Sequence, residues 1–307
     1  MKRKSQIYLL ILLGFFLASC IKEIEEDFGY ESKIVVFSYL TDKDSVLAVE
    51  LLNNVPANSK YITTSKDSIS YIVDAVVIIK SESGVEKQLI YDALSRRYTL
   101  DAADFTLAPG VSYILTASTP DGRQVSSSMK MPGSISSVSF QIDTTAAAYQ
   151  EAGTNGNTLL QMKKNIGYSV TFNANGDYYF VYASVFYSNY YKTPTTDTNV
   201  HLSRRVFINN YRKPTQYNGN TTLTIKNDLD NTEFPPIDNF TISVDSVKVF
   251  VVSAKEDYYR FLNSVEKQYN VSNDPFAEPI LLYSNISGGL GVFTGLTVNS
   301  TTVKYKP

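Results

Sequence analysis

The chain has no tryptophan, one cysteine, one histidine and no surplus of positive charge. Each shortage removes a class of function. One cysteine, Cys20, allows no internal disulfide and no cysteine-rich zinc site. One histidine, His201, would have to serve any Ser-His-Asp triad, yet no G-x-S-x-G elbow accompanies it. A zinc centre with one His is inadequate as well, so His201 reads as a loop or strand-edge residue. With 28 Lys and Arg against 30 Asp and Glu, the net charge is −2. That balance leaves no electrostatic case for nucleic-acid binding, and no basic cluster is aimed at anionic headgroups. The apolar run at residues 7–17 (IYLLILLGFFL) falls short of the roughly 20 residues that a membrane-spanning helix needs.

What is present at the N-terminus is a secretory pattern. Lys2, Arg3 and Lys4 precede the apolar run, and the small-residue site Leu17-Ala18-Ser19-Cys20 closes it. An uncleaved anchor is the competing reading, but a small-residue site argues for cleavage. The cysteine at this spot resembles a bacterial lipoprotein box. The resemblance implies that residues 1–19 are a signal peptide and that the Cys20 thiol carries the acyl (palmitate-type) lipid. Cleavage would leave 25 cations against 30 carboxylates, a net charge of −5. An acylated Cys20 would leave no thiol for nucleophilic catalysis. Residues 20–29 read as a tether. Lys22 followed by Glu23, Glu25, Glu26 and Asp27 is similar to the export signal of Bacteroidetes surface lipoproteins, and equally suits a solvated linker.

Beyond the tether the chain reads as mainly β. With 23 Tyr and 16 Phe and abundant Val, Ile, Thr and Ser, it suits pleated, half-buried surfaces. Residues 33–40 (KIVVFSYL), 46–52 (VLAVELL), 73–80 (VDAVVIIK), 86–91, 98–100, 111–117 (VSYILTA) and 124–129 read as short strands. Turn signals separate them, among them Thr119-Pro120-Asp121-Gly122, where Pro presets φ and Gly supplies positive φ. The spacing predicts an antiparallel immunoglobulin- or transthyretin-like β-sandwich over 30–132. A second β-rich domain follows over 134–307. Its expected strands lie at 137–142, 159–172, 178–187, 206–208, 223–225 and 240–253, with polar segments at 144–157 and 188–199. One helix is expected at about 254–269. Ser253 and Glu256 have capping-box spacing, and Tyr258, Phe261, Leu262, Val265 and Tyr269 form an apolar stripe expected to pack on the sheet. Glu256 and Asp257 suit the first turn electrostatically.

The C-terminal region carries a family resemblance. After the helix come Asn273-Asp274-Pro275-Phe276, Pro279 and then Ser284-Asn285-Ile286-Ser287-Gly288-Gly289-Leu290-Gly291-Val292-Phe293. This is similar to the closing signature of the domain-of-unknown-function 4249 family of Bacteroidetes lipoproteins. The signal, the tether, the Lys33-Ile34-Val35-Val36 strand and the Thr-Pro-Asp-Gly hairpin also resemble it. The resemblance implies an outer-membrane lipoprotein, often encoded beside TonB-dependent uptake systems, with no established reaction and no catalytic residues to carry over.

Other motifs are weaker. Gly288-Gly289-Leu290-Gly291 leads into a strand-like stretch without a P-loop Lys, so it reads as backbone geometry rather than a phosphate cradle. Asp228 to Glu233 starts like a calcium loop but lacks its sixth-position Gly and later Glu. Four tripeptides, at Asp44, Asp67, Asp143 and Asp245, resemble a Bacteroidetes O-glycosylation acceptor. Tyrosine offers a stacking face with a polar tip, so Tyr190, Tyr191, Tyr211 and Tyr217, read as loop residues, are candidate glycan or peptide contacts, although filling sheet faces would equally account for them. No cofactor or metal is expected. The reading is a non-catalytic binding component, lipid-anchored in the outer membrane and exposed at the cell surface if the export signal acts. Its expected partner is a TonB-dependent transporter. A structural or adhesive module is the alternative, and a glycan or peptide hydrolase a third.

Overall fold

The computed structural model describes residues 31–54, 70–152, 158–193, 196–208, 214–229, 241–271, 278 and 280–304. Cys20, Tyr211, the Asp67 tripeptide and most of the Asp228–Glu233 stretch lie outside these residues.

The molecule is mainly β, and its described residues form thirteen strands and one helix. Seven short strands come first: β1 (Ile34–Thr41), β2 (Val46–Asn53), β3 (Val76–Ser81), β4 (Glu86–Asp92), β5 (Arg97–Asp101), β6 (Ser112–Ser118) and β7 (Gln124–Lys130). Alternation along them decides which face is buried. Ile34, Val36 and Leu40 of β1 and Leu47, Val49 and Leu51 of β2 point into one core. Val77 and Ile79 of β3 meet them there with Tyr113 and Leu115 of β6. Tyr98 places its ring in this core and keeps its hydroxyl satisfied, donating to Ile72 O and accepting from Ala75 N–H. The hairpin at Thr119 forms as the sequence predicts, with Gly122 at φ 88°.

The second half is built on long strands. β8 (Ser136–Ala152), β9 (Thr158–Thr193), β10 (Thr196–Ile208), β11 (Thr215–Leu229) and β12 (Thr241–Ala254) lead to α1 (Glu256–Val271) and finally β13 (Leu290–Lys304). The polar segments expected at 144–157 and 188–199 are therefore largely strand. Small and polar residues there join ladders, 144–152 with β9 and 188–193 of β9 with β10, which their composition alone does not reveal. β9 turns at Gly176, where φ is 91°. Its first part pairs with β8 and β11, and its second with β10 and β12. The strand bends there, with a register shift in β11 between Gln216 and Asn218, and Phe172 and Tyr179 come to 4.9 Å between ring centroids in a core shared with Val247, Val249 and Val251.

The two halves are one hydrogen-bonded sheet. Its order is β10-β9-β12-β13-β1-β2-β5-β4-β3-β6-β7. β13 pairs antiparallel with β12 and parallel with β1. The last strand of the chain thus sits beside the first, across the expected division at 132–134. The segment leading into β13 also bridges the outer strand β7, through reciprocal Ser126–Ser287 backbone hydrogen bonds. Ile286 and Phe293 enter the N-terminal core there.

Helix α1 covers the opposite face of β1, β9 and β12. Tyr258, Phe261 and Leu262 pack on Tyr178, Phe180, Val252 and Leu296 and on the β1 aromatics. The expected capping box is absent. Ser253 remains in β12, in register with Tyr179 and Thr297 and fully buried. Its hydroxyl makes no hydrogen bond among the described residues.

Register also gives the N-terminal half two ends. The start of β1, the β4–β5 turn and the β6–β7 turn share one end, where Arg123 Nη1 donates to Ser32 Oγ and Asn53 Oδ1. The β1–β2 turn, the β3–β4 turn and the β5–β6 connection share the other.

Candidate functional site

A cleft of about 390 Å³ opens at this second end. Four segments build it: the β1–β2 turn, the β5–β6 connection, the link after Pro132, and β13. Asp42 is its deepest charged residue, with a side chain only 7% exposed. The turn presents it because Asp44 folds back to accept from Thr41 N–H at 2.7 Å and from Thr41 Oγ1 at 2.8 Å. Asp42 Oδ1 then accepts the Val298 N–H at 2.8 Å, a contact between residues 256 positions apart. Its Oδ2 faces Lys43 Nζ at 3.2 Å. The carboxylate is thus neutralised on one side and hydrogen-bonded on the other, which is how a nearly buried charge is tolerated.

The remaining walls are mixed. Leu107 and Ile135 are buried apolar walls, and Pro109 and Val298 are partly open. Asn299 Nδ2 donates to Ile135 O at 2.9 Å and Thr297 Oγ1 to Pro132 O at 2.9 Å, locking the link against β13. Among the described residues, the Ser134 and Ser300 hydroxyls and Asn299 Oδ1 have no hydrogen-bond partner, and all belong to the cleft lining. The arrangement offers donors and acceptors beside apolar walls, with its one carboxylate already engaged. A second groove, of about 350 Å³, runs along β3, β6 and β7 to Ser287 and Gly288 and carries no ionisable side chain.

Of the tyrosines expected to contact ligand, Tyr190, Tyr191 and Tyr217 are not among the residues that line the cleft. Tyr190 and Tyr191 are in β9, opposite His201 and Val200 of β10, and not in a loop. His201 is accordingly in the outermost strand of the sheet path. Tyr217 is in β11, half-buried, its ring edge-on to Phe172 at 6.4 Å; it is not part of the cleft. No group of three or more metal-ligating side chains occurs among the described residues.

The closing Ser-Asn-Ile-Ser-Gly-Gly-Leu-Gly motif has a mechanical role. Asn285 Nδ2 donates to Phe293 O at 2.8 Å, and its Oδ1 accepts from Phe293 N–H at 3.0 Å. The amide side chain thus stands in for a neighbouring strand. Gly289 and Gly291 lie so close to β1 that an added Cβ would sit 2.5 Å from Ile34 O and 2.0 Å from Val36 O. The same signature is matched by the family model described as Domain of unknown function (DUF4249), over residues 21–302. The chain belongs to this family. In DUF4249 terms, both the motif and the cleft lie within the matched region, and β13 contributes to each. No curated protein matches the chain. A solved structure described as the structural basis for the promiscuous specificity of carbohydrate-binding modules from the β-sandwich superfamily is 10% identical, with 72% of this chain and 96% of that chain covered and a TM-score of 0.17. At that identity and score it bears on neither ligand nor site.

Proposed function

We propose that this DUF4249 member is a non-catalytic binding protein, lipid-anchored through Cys20 in a Bacteroidetes outer membrane and accessory to a TonB-dependent uptake system. The observation that carries the binding role is the cleft at Asp42. Its volume lies in the range of small-ligand sites, roughly 300–1,000 Å³, and its walls come from both ends of the chain. Hydroxyl, amide and ammonium groups beside Leu107, Pro109 and Val298 favour an uncharged polar ligand with apolar faces, such as a short glycan or a neutral peptide. Anchoring is supported by the Leu17-Ala18-Ser19-Cys20 site and the charged residues after it.

Titration calorimetry against glycan and peptide panels tests the binding role. A ligand of this cleft loses about tenfold in affinity, or roughly 1.4 kcal/mol, in Lys43→Ala and Asn299→Ala. Equal affinity in both variants removes the cleft from consideration, and product formation from any panel member would replace the binding reading with a hydrolase. Co-purification of a transporter with the anchored protein tests the uptake role; isolation alone favours the structural or adhesive alternative.

A further inference from the structure

Large apolar side chains are gathered at the end of the molecule opposite the cleft. The helical stripe does not pack on the sheet along its whole length. Tyr258 meets Tyr39 at 6.0 Å and Phe261 meets Phe37 at 6.1 Å, so α1 runs back along β1 towards its start. One turn further, Val265 is 38% exposed, and after another turn Tyr269 is 74% exposed. A second segment crosses the helix there. Tyr283 N–H donates to Ser264 Oγ at 2.9 Å, and Ile280 N–H to Gln268 Oε1 at 3.0 Å. Between these two bonds Leu281 and Leu282 are held beside the helix, 89% and 44% exposed. Leu290, opposite Val35 of β1, is also partly exposed. Leu94 in the β4–β5 turn projects from the same end. Scattered exposed leucines need no explanation, but apolar side chains from four segments at one end do.

Glu31, the first described residue, stands at this end. Ser32 is tied down there by Arg123. Eleven steps along the chain separate Glu31 from Cys20, so a lipidated Cys20 lies within about 40 Å even when the tether is fully stretched. Such a tether holds the fold at high effective concentration against its own membrane. Charges around the patch are mixed, with Glu31, Lys33, Glu266 and Lys267 all nearby in sequence. A contact here is therefore apolar rather than electrostatic.

We propose that this end is a membrane-seating surface: Val265, Tyr269, Leu281 and Leu282 rest in the interfacial layer of the bilayer that holds the Cys20 acyl chains, and the Asp42 cleft faces away from it. The proposal rests on the lipoprotein reading above. The experiment uses the acylated full chain. Because Cys20 is the only cysteine, Leu281→Cys supplies one free thiol for a fluorophore, and Val85→Cys supplies a control in the β3–β4 turn at the opposite end. In vesicles of phosphatidylethanolamine and phosphatidylglycerol containing brominated lipid, the probe at 281 is strongly quenched and the probe at 85 is not. High salt leaves the quenching unchanged, and adding Tyr269→Ser with Leu282→Ser reduces it. Equal quenching at both positions, or none at 281, in protein whose mass shows an acylated Cys20 overturns the seating and leaves the anchor intact. A mass without the acyl chains overturns the anchor itself. Protection of 281 from an aqueous quencher in native outer membranes, without bromolipid quenching, overturns the lipid contact in favour of a protein partner.

Discussion

At the scale of single residues, the closing motif is governed by space and by hydrogen-bond mimicry. Gly291 has φ 106° and lies against Val36, whereas Gly110 has φ 81° and open surroundings. Gly110→Ala meets only the left-handed backbone penalty of about 1–2 kcal/mol. Gly291→Ala adds a collision with the β1 backbone and costs roughly 4–5 kcal/mol or more. Urea unfolding of the two variants side by side checks the difference. Asn285→Ala loses both bonds to Phe293, an expected loss of about 1–3 kcal/mol by the same measurement. Ser253 gives the opposite expectation. A true N-cap lost to Ala costs about 1 kcal/mol. Because Ser253 is held in β12 and does not cap α1, Ser253→Ala leaves the thermal midpoint at or above that of the parent.

At the scale of elements, α1 is fastened by the chain that follows it. The Tyr283 hydroxyl donates to Asp257 in the first turn, and Arg260 lies over the Tyr283 ring at 5.8 Å. Burial first, and then the bond to Asp257, push the Tyr283 phenol up from 10.0 to about 12. In the unfolded chain the phenol ionises near its ordinary value, so the native state holds its proton longer. The stabilisation is complete below pH 10 and is lost as pH rises from 10 to about 12. Tyr283→Phe removes that part of the alkaline fall in stability while lowering stability at neutral pH; denaturant midpoints measured across this range check both effects.

For the whole molecule, the pairing of β1 with β13 decides what can fold alone. Phe293 and Ile286 complete the N-terminal core, and Asp42 is held by Val298. A chain ending at Pro132 lacks all three contacts and leaves the β13 side of β1 unpaired. It is expected to be unfolded or to self-associate, whereas residues 20–307 fold cooperatively. Limited proteolysis and amide exchange distinguish these outcomes, and a stable, protected fragment would show an independent N-terminal domain. The cleft inherits the same dependence, because its walls come from both ends of the chain.

Much of the architecture was legible because β alternation and turn chemistry are local. The pattern of 33–40 and 46–52, the Thr119 hairpin and the amphipathic start of α1 each follow from neighbours within a few residues. Polar strands were not legible: residues 144–152 and 188–193 carry no alternation signal and become strand through ladder hydrogen bonds to β9 and β10. The cleft was hidden for a related reason, since Asp42 looks like any turn aspartate until Val298 is placed beside it. By itself the sequence determined the β class, the helix, the family motif and the restriction to one thiol and one imidazole, because these depend on residue type and short-range spacing. Only the tertiary structure decided that the last strand lies beside the first, that the Asp42 cleft opens at one end and that exposed leucines gather at the other. Those arrangements depend on parallel pairing between residues about 250 positions apart, which local propensity does not encode.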